Sequence, residues 1–234
     1  MTLPRDRLIV ALDVPGVEEA RTLIETLGDS VGVYKIGLEL LFSGGFELAL
    51  ELARHGRPIF VDAKLLDIEA TVERATAAIA RSGAAFLTVH ALDCRTLAAA
   101  VRGRGDSALK LLGVTVLTNL SSSDLIEQCI DHPLGELVRH RAKLAKEAGF
   151  DGVVASGHEA AQIREVAGPE FLIVTPGIRP HGSQAQDQAR AVTPRFAIDA
   201  GADYLVVGRP ITRAPDPRAA AEAIGGEIAA ALSR

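Results

Sequence analysis

The sequence predicts a closed α/β fold, a single (β/α)8 TIM barrel over residues 1–234, and three observations predict it. Apolar, strand-like runs alternate with amphipathic helical stretches along the whole chain, which implies a parallel sheet. The first five runs begin near residues 8, 31, 58, 85 and 109, a spacing of about 25 residues, which suits one strand–helix unit. The chain has 234 residues, with no linker or composition shift to mark a second domain, and a typical eightfold barrel has ~250. The open, doubly wound alternative would carry G-x-G-x-x-G after its first strand, and this chain does not.

The elements follow in order. Leu8–Leu12 is the first strand; it meets Asp13, and Pro15-Gly16 turns the chain. Val17–Leu27 has helical spacing, with Glu18 and Glu19 in the first turn where the helix dipole favours them, and Gly28 ends it. Val31–Ile36 is the second strand, and a helix over Leu40–Arg54 closes at His55-Gly56. Pro58–Val61 is the third strand, with a helix over Ile68–Ser82 behind it. Ala85–Val89 leads to His90, a helix over Cys94–Val101 follows, and residues 103–106 form a turn. Leu109–Leu117 is the fifth strand and ends at Thr118. Ser121–Asp124 offers several helix N-caps ahead of a short helix, Leu125–Ile130, which His132-Pro133 breaks. Leu134–Ala148 is a helix, Gly152–Ala155 the sixth strand, His158–Val166 a helix and Phe171–Thr175 the seventh strand. Residues 180–192 are polar and aperiodic and read as a long loop. Pro194–Ala200 is a helix, Tyr204–Val207 the eighth strand and Pro217–Leu232 the closing helix.

The composition excludes several classes of function. Hydrophobic residues make up 48% of the chain, with no Trp, so aliphatic side chains must build the core, as in parallel strands covered by helices. A net charge of −5 argues against a general nucleic-acid or acidic-membrane surface, though not against a small anion held by local cations. Cys94 and Cys129 stand far apart, without metal-ligand or disulfide-framework spacing, which fits a reducing cytoplasm. The first residues meet Asp13 before any signal-peptide core can form, and no apolar run is long enough to span a bilayer.

Charged and polar residues interrupt this pattern at the strand C-termini. Asp13 follows the first strand, Lys35 lies in the second, Asp62 and Lys64 follow the third, His90 the fourth, Thr118 the fifth, Arg179 the seventh and Arg209 the eighth. In barrel enzymes those ends build the active site, so scattered residues would converge on one mouth. The third strand is the densest case. Strand alternation puts Asp62 and Lys64 on one face, and Asp67 follows three residues later. Buried charges must be paired. The array is therefore either a structural ion pair or a proton donor, Lys64, tuned by two carboxylates.

Each position has a plainer alternative. Asp13 before Val14-Pro15 would also initiate a turn. Lys35 in an apolar strand needs a neighbouring carboxylate. His90 reads as a satisfied core histidine rather than a catalyst, Ser121–Ser123 as caps rather than nucleophiles, and His181 as a solvated loop residue. Thr118 would satisfy a backbone group or touch a ligand. The last third suggests a phosphate. Pro176-Gly177-Ile178-Arg179-Pro180 follows strand seven and Gly208-Arg209-Pro210 follows strand eight, the two places where barrels commonly grip phosphate. Glycine lets backbone N–H groups approach an anion, and arginine adds a permanently charged fork.

The ordered set of motifs resembles the orotidine 5′-phosphate decarboxylase family. D-x-K-x-x-D is met by Asp62-Ala63-Lys64-Leu65-Leu66-Asp67, followed by Ile68; ALDV at 11–14, YKIG at 34–37, VTVLTN at 114–119, PGIRP at 176–180 and VGRPIT at 207–212 support it. D-x-K-x-x-D alone is shared with related phosphosugar barrels; the full set, from Leu8 to about Thr212, is more specific. The resemblance implies decarboxylation of orotidine 5′-phosphate to UMP and CO2, without metal or other cofactor. It implies catalytic roles for Lys35, Asp62, Lys64 and Asp67. Lys64 would donate a proton to carbon 6 of the pyrimidine, and Asp62 would lie beside the leaving carboxylate. Lys35 and Asp13 would hold the ribose, and Thr118 would meet the base edge. Gln188, in a loop acting as a lid, would close over base and phosphate. Pro176, Arg179, Gly208 and Arg209 would bind at the phosphate end. Asp67 and Thr71 would reach the site of a partner subunit in a homodimer, and Ile68 would bind substrate. Two alternatives stand beside this reading: a metal-dependent decarboxylase or aldolase acting on a ketose phosphate, and a non-catalytic nucleotide-binding barrel.

Overall fold

The computed structural model describes residues 3–180 and 191–233. Eight parallel strands close into a barrel in sequence order: β1 (Leu8–Ala11), β2 (Val33–Gly37), β3 (Ile59–Leu65), β4 (Phe86–His90), β5 (Lys110–Val114), β6 (Gly152–Val154), β7 (Leu172–Thr175) and β8 (Tyr204–Val207). Closure is made by β1 pairing with β8, Ile9 opposite Val206. The predicted (β/α)8 class is therefore the observed one.

The two-residue period of the strands divides the core in two. Ile9, Ala11, Val33, Phe60, Phe86, Leu112, Val174 and Val206 point inward and fill the lumen. Leu8, Val10, Tyr34, Ile36, Ile59, Val61, Leu87 and Leu111 point outward and pack under the helices. The rings of Phe60 and Phe86 meet edge-on at 5.9 Å, and Phe86 meets Tyr204 at 5.3 Å. These aromatic rings plug the lumen, so it is a packed core rather than a channel.

Several predicted boundaries move, each for a local reason. The helix expected over Leu40–Arg54 is interrupted: a wide turn over Leu41–Gly45, with Gly44 at φ 90°, precedes a regular helix at Phe46–Arg54. The helix expected to stop at Val101 runs from Cys94 to Arg104. Gly103 lies inside it because a Cβ there would sit 2.3 Å from the Glu73 carbonyl of the neighbouring helix, so the glycine permits close helix packing. β5 ends at Val114 rather than Leu117, where Arg141 Nη1 donates to the Thr115 carbonyl at 2.6 Å. The short helix begins at Ser122, not Leu125, because Asp124 accepts from the Ser121 N–H at 2.7 Å and caps it. The helix expected at His158 begins at Ala160.

Candidate active site

In β1 to β4 the inward register continues past its apolar residues into a polar layer, and in β8 it reaches a glycine. Ile9 and Ala11 lead to Asp13; Val33 leads to Lys35 and Gly37; Phe60 to Asp62; Phe86 to Thr88 and His90; Val206 to Gly208. The lumen is apolar at its floor and charged at its C-terminal mouth. A cleft of about 480 Å³ opens there, within the usual range for a small-molecule site.

Asp62 is the centre of the charge array. Its Oδ2 accepts from Lys64 Nζ at 2.8 Å and lies 3.2 Å from Lys35 Nζ. Lys35 Nζ also donates to Asp13 Oδ1 at 3.2 Å. Lys35 and Asp62 are each only 7% exposed, so both must be paired. Burial alone would push the Lys35 ammonium down, but Asp62 and then Asp13 reverse this and hold it above its ordinary range. Burial alone would push the Asp62 carboxyl up; Lys35 and Lys64 outweigh it and hold the group below the usual carboxylate range. Lys35 and Asp62 are thus both charged at neutral pH. Gly37 makes room for them: a Cβ there would lie 2.9 Å from Lys35 Nζ.

Strand alternation is not what brings Lys64 to Asp62. Pairing between β3 and β4 shifts register between Val61 and Leu65, and Lys64 adopts φ 47°. A side-chain-bearing residue in the left-handed region is strained by roughly 1–3 kcal/mol, so the surroundings must hold it there. Thr88, fully buried in β4, supplies one such hold. Its Oγ1 accepts from the Lys64 N–H at 2.9 Å and donates to Asp62 Oδ1 at 2.9 Å.

The predicted residues divide into two groups. Asp13, Lys35, Asp62, Lys64, Thr118, Pro176, Arg179, Gly208 and Arg209 line one cleft. Asp67, Ile68 and Thr71 do not line it; Asp67 and Ile68 are exposed. Gln188 and His181 lie outside the described residues. The two flanks of that segment are joined, since Arg179 N–H donates to Val192 O at 2.9 Å and Val192 N–H to Gly177 O at 3.2 Å. His90 departs from expectation. Its ring is half-buried and makes no hydrogen bond to a described residue, and burial, then the Lys64 and Arg141 charges, lower its pKa and favour neutral imidazole. Sequence reasoning missed Thr88, Glu39, Asn119 and Arg213, of which the last three line the cleft. Arg213 had a signal, because it falls four residues after Arg209 on the same short helical turn. For Thr88 the signal was its place two residues after Phe86, on the same strand face.

Comparison with known proteins decides what this cleft belongs to. The description "Orotidine 5'-phosphate decarboxylase / HUMPS family" matches residues 6–224. The chain belongs to this family. Among its relatives, the orotidine 5′-phosphate decarboxylase of Rhodopseudomonas palustris (strain BisB5) is 54% identical over 227 residues, covering 97% of this chain and 96% of that one. That of Methylobacterium nodulans is 54% identical over 231 residues, covering 97% and 98%. The crystal structure of the orotidine 5′-phosphate decarboxylase from Lactobacillus acidophilus superposes with a TM-score of 0.83 at 40% identity, over 94% of this chain and 98% of that one. The decarboxylase-family barrel is thus matched in sequence and in shape along nearly its whole length.

Proposed function

We propose that this chain, as one barrel domain over residues 1–234, converts orotidine 5′-phosphate to UMP and CO2. One observation carries the reading: the Asp13–Lys35–Asp62–Lys64 array faces the same cleft as Arg179 and Arg209. One end of the cleft suits a carboxylated ring, the other a phosphate.

Loss of CO2 from the pyrimidine leaves an electron pair in the ring plane, where no ring orbital can delocalise it. A fixed cation beside that carbon is the stabilisation available, and the Lys64 ammonium is pre-positioned by its contact with Asp62. Once CO2 has left, the same ammonium gives its proton to carbon 6. Asp62 keeps Lys64 aimed. Beside a substrate carboxylate at ~4 Å, with an effective dielectric near 20, it would also repel the ground state by about 4 kcal/mol. We assign the larger part to aiming, because a fixed cation gains interaction as charge moves onto carbon. With Asp62→Asn, turnover should then fall sharply; unchanged turnover with much tighter substrate binding would sink the aiming role.

The binding roles follow the cleft. Lys35 and Asp13 take the ribose, Thr118 the base edge, and Pro176, Arg179, Gly208 and Arg209 the phosphate end. Asp67, Ile68 and Thr71 are assigned to the partner's site in a homodimer. Their position outside this chain's own cleft supports that, as do exposed apolar side chains on the same rim, Phe42 at 88% and Ile68 at 72%. Among the described residues no helix is long and apolar enough to cross a membrane, and the two free cysteines, Cys94 and Cys129, support our placing the enzyme in the cytoplasm.

The test is the ultraviolet absorbance of orotidine 5′-phosphate mixed with the protein and excess EDTA, with Lys64→Ala alongside. Rapid loss of orotate absorbance in the unmodified chain, reduced by several orders of magnitude in Lys64→Ala, is expected. No loss in either, with activity on a ketose phosphate and magnesium instead, would overturn the assignment.

A further inference from the structure

We propose that Thr88 is a positioning residue for the decarboxylation, setting the Lys64 ammonium through two hydrogen bonds from one hydroxyl. The inference rests on the functional reading above and extends it to a residue that does not line the cleft.

Thr88 points inward from β4, between Phe86 on the lumen floor and His90 at the mouth. Its Oγ1 is buried and has one proton to give. That proton goes to Asp62 Oδ1 at 2.9 Å. The other carboxylate oxygen, Oδ2, is left to Lys64 and Lys35. A carboxylate held at both oxygens cannot turn about its bond to Cβ, so Thr88 fixes the direction in which Oδ2 meets the lysines.

The same oxygen accepts from the Lys64 backbone N–H. That N–H lies where the β3–β4 ladder loses register, between Val61 and Leu65, so regular pairing does not satisfy it. A buried backbone donor left unpaired is costly, and Lys64 also carries φ 47°. One hydroxyl thus ties the side chain of Asp62 to the main chain of Lys64. An apolar side chain at this position can make neither bond. Serine can make both, with the loss of one buried methyl.

The test compares Thr88→Val, which keeps the shape and removes the hydroxyl, with Thr88→Ser, which keeps the hydroxyl. Assays with orotidine 5′-phosphate are run well below the Tm of each variant. Thr88→Val should lose about ten- to a hundredfold in kcat, the scale of one hydrogen bond to a charged group, with KM changed less than about threefold. Thr88→Ser should keep kcat within about threefold although its Tm falls. A purely structural Thr88 would lower the Tm of Thr88→Val and leave its kcat, measured well below that Tm, near wild type. Val retaining wild-type kcat, or Ser losing as much as Val, would overturn the proposal.

A second readout needs no turnover. Carbon-13 NMR titration of the aspartate carboxyls should show the Asp62 midpoint higher in Thr88→Val than in the wild type, and restored in Thr88→Ser. The charged and titratable groups near Asp62 are Lys35 from β2, Lys64 from β3 and His90 from β4, with Asp13 reaching it through Lys35. All are common to the three proteins. An unmoved midpoint would overturn the positioning role. If the variants show the titration difference but the wild type does not decarboxylate, the functional reading is overturned while the hold of Thr88 on Asp62 and Lys64 remains.

Discussion

At Lys35, burial and charge make opposite demands, and two carboxylates resolve them. The ammonium keeps its proton because Asp62 and Asp13 both lie 3.2 Å away. The two ions titrate at opposite ends of the pH scale. Asp62 is depressed in the native state, so its contribution to stability is complete above the ordinary carboxylate value of ~3.9 and is lost as pH falls through its native pKa. Lys35 is raised, so its contribution is complete below ~10.4 and is lost as pH rises through its native value. Removing Asp62 leaves Lys35 with Asp13 alone and brings two cations together unbridged. Asp62→Ala should cost roughly 3 kcal/mol at pH 7 by urea unfolding, with the deficit shrinking below pH ~4. Equal stability at pH 7 would mean that the lysines relax into water. Most of this array was legible, since charges at the end of an apolar strand are too costly to bury without partners of opposite sign. Thr88 was legible only as an inward-facing residue, two after Phe86; threonine is common in strands, and the partners of its hydroxyl appear only in the folded register. The φ of Lys64 was not legible, because local sequence favours plain extension there and only the shifted pairing with β4 forbids it.

Elements at the opposite face of the barrel show stability built apart from the chemistry. Asp203, just before β8, accepts from the Ile173 N–H of β7 at 2.8 Å and from Arg164 Nη2 at 2.8 Å. Arg164 also reaches the carbonyls of Gly168, Pro169, Phe171 and Gly201. Asp151, just before β6, repeats the device, accepting from the Leu111 N–H of β5 at 2.9 Å and from Arg104 at 3.0 Å. Each aspartate pins the start of its own strand to that of the preceding one. Arg164→Leu should therefore lower stability by roughly 2–4 kcal/mol, since several carbonyls and a carboxylate lose a charged partner. Its kcat at low temperature should match the wild type, and a large change in kcat would show that the two faces are coupled. Strand and helix identity in this region was legible from periodicity. The staples were not, because arginine and aspartate near turns also read as ordinary surface residues.

For the whole molecule, the proposed homodimer makes an arithmetic prediction. If Asp67 serves the partner's cleft, Lys64→Ala and Asp67→Ala chains are each inactive alone but complement when mixed. Co-refolded in equal amounts, half the dimers are mixed and each carries one intact site, so activity should return to about a quarter of wild type. No recovery would place Asp67 in its own chain's cleft or outside the chemistry. The barrel itself was legible because its repeat is long and regular. The convergence of one chain's site was legible because strand ends share a mouth.

Ring closure by β1 against β8 has a consequence for synthesis. The first strand to leave the ribosome waits for the last before its open edge is covered. Asp13, Lys35, Asp62 and Lys64 are all made early, and of the four Lys35 and Asp62 are buried in the closed barrel. A nascent chain cut short of residue 204 would thus present unpaired strand edges on both sides, at β1 and at β7. For quality control in the cell, such an unfinished ring differs from a finished one by the two seams that the last strand closes.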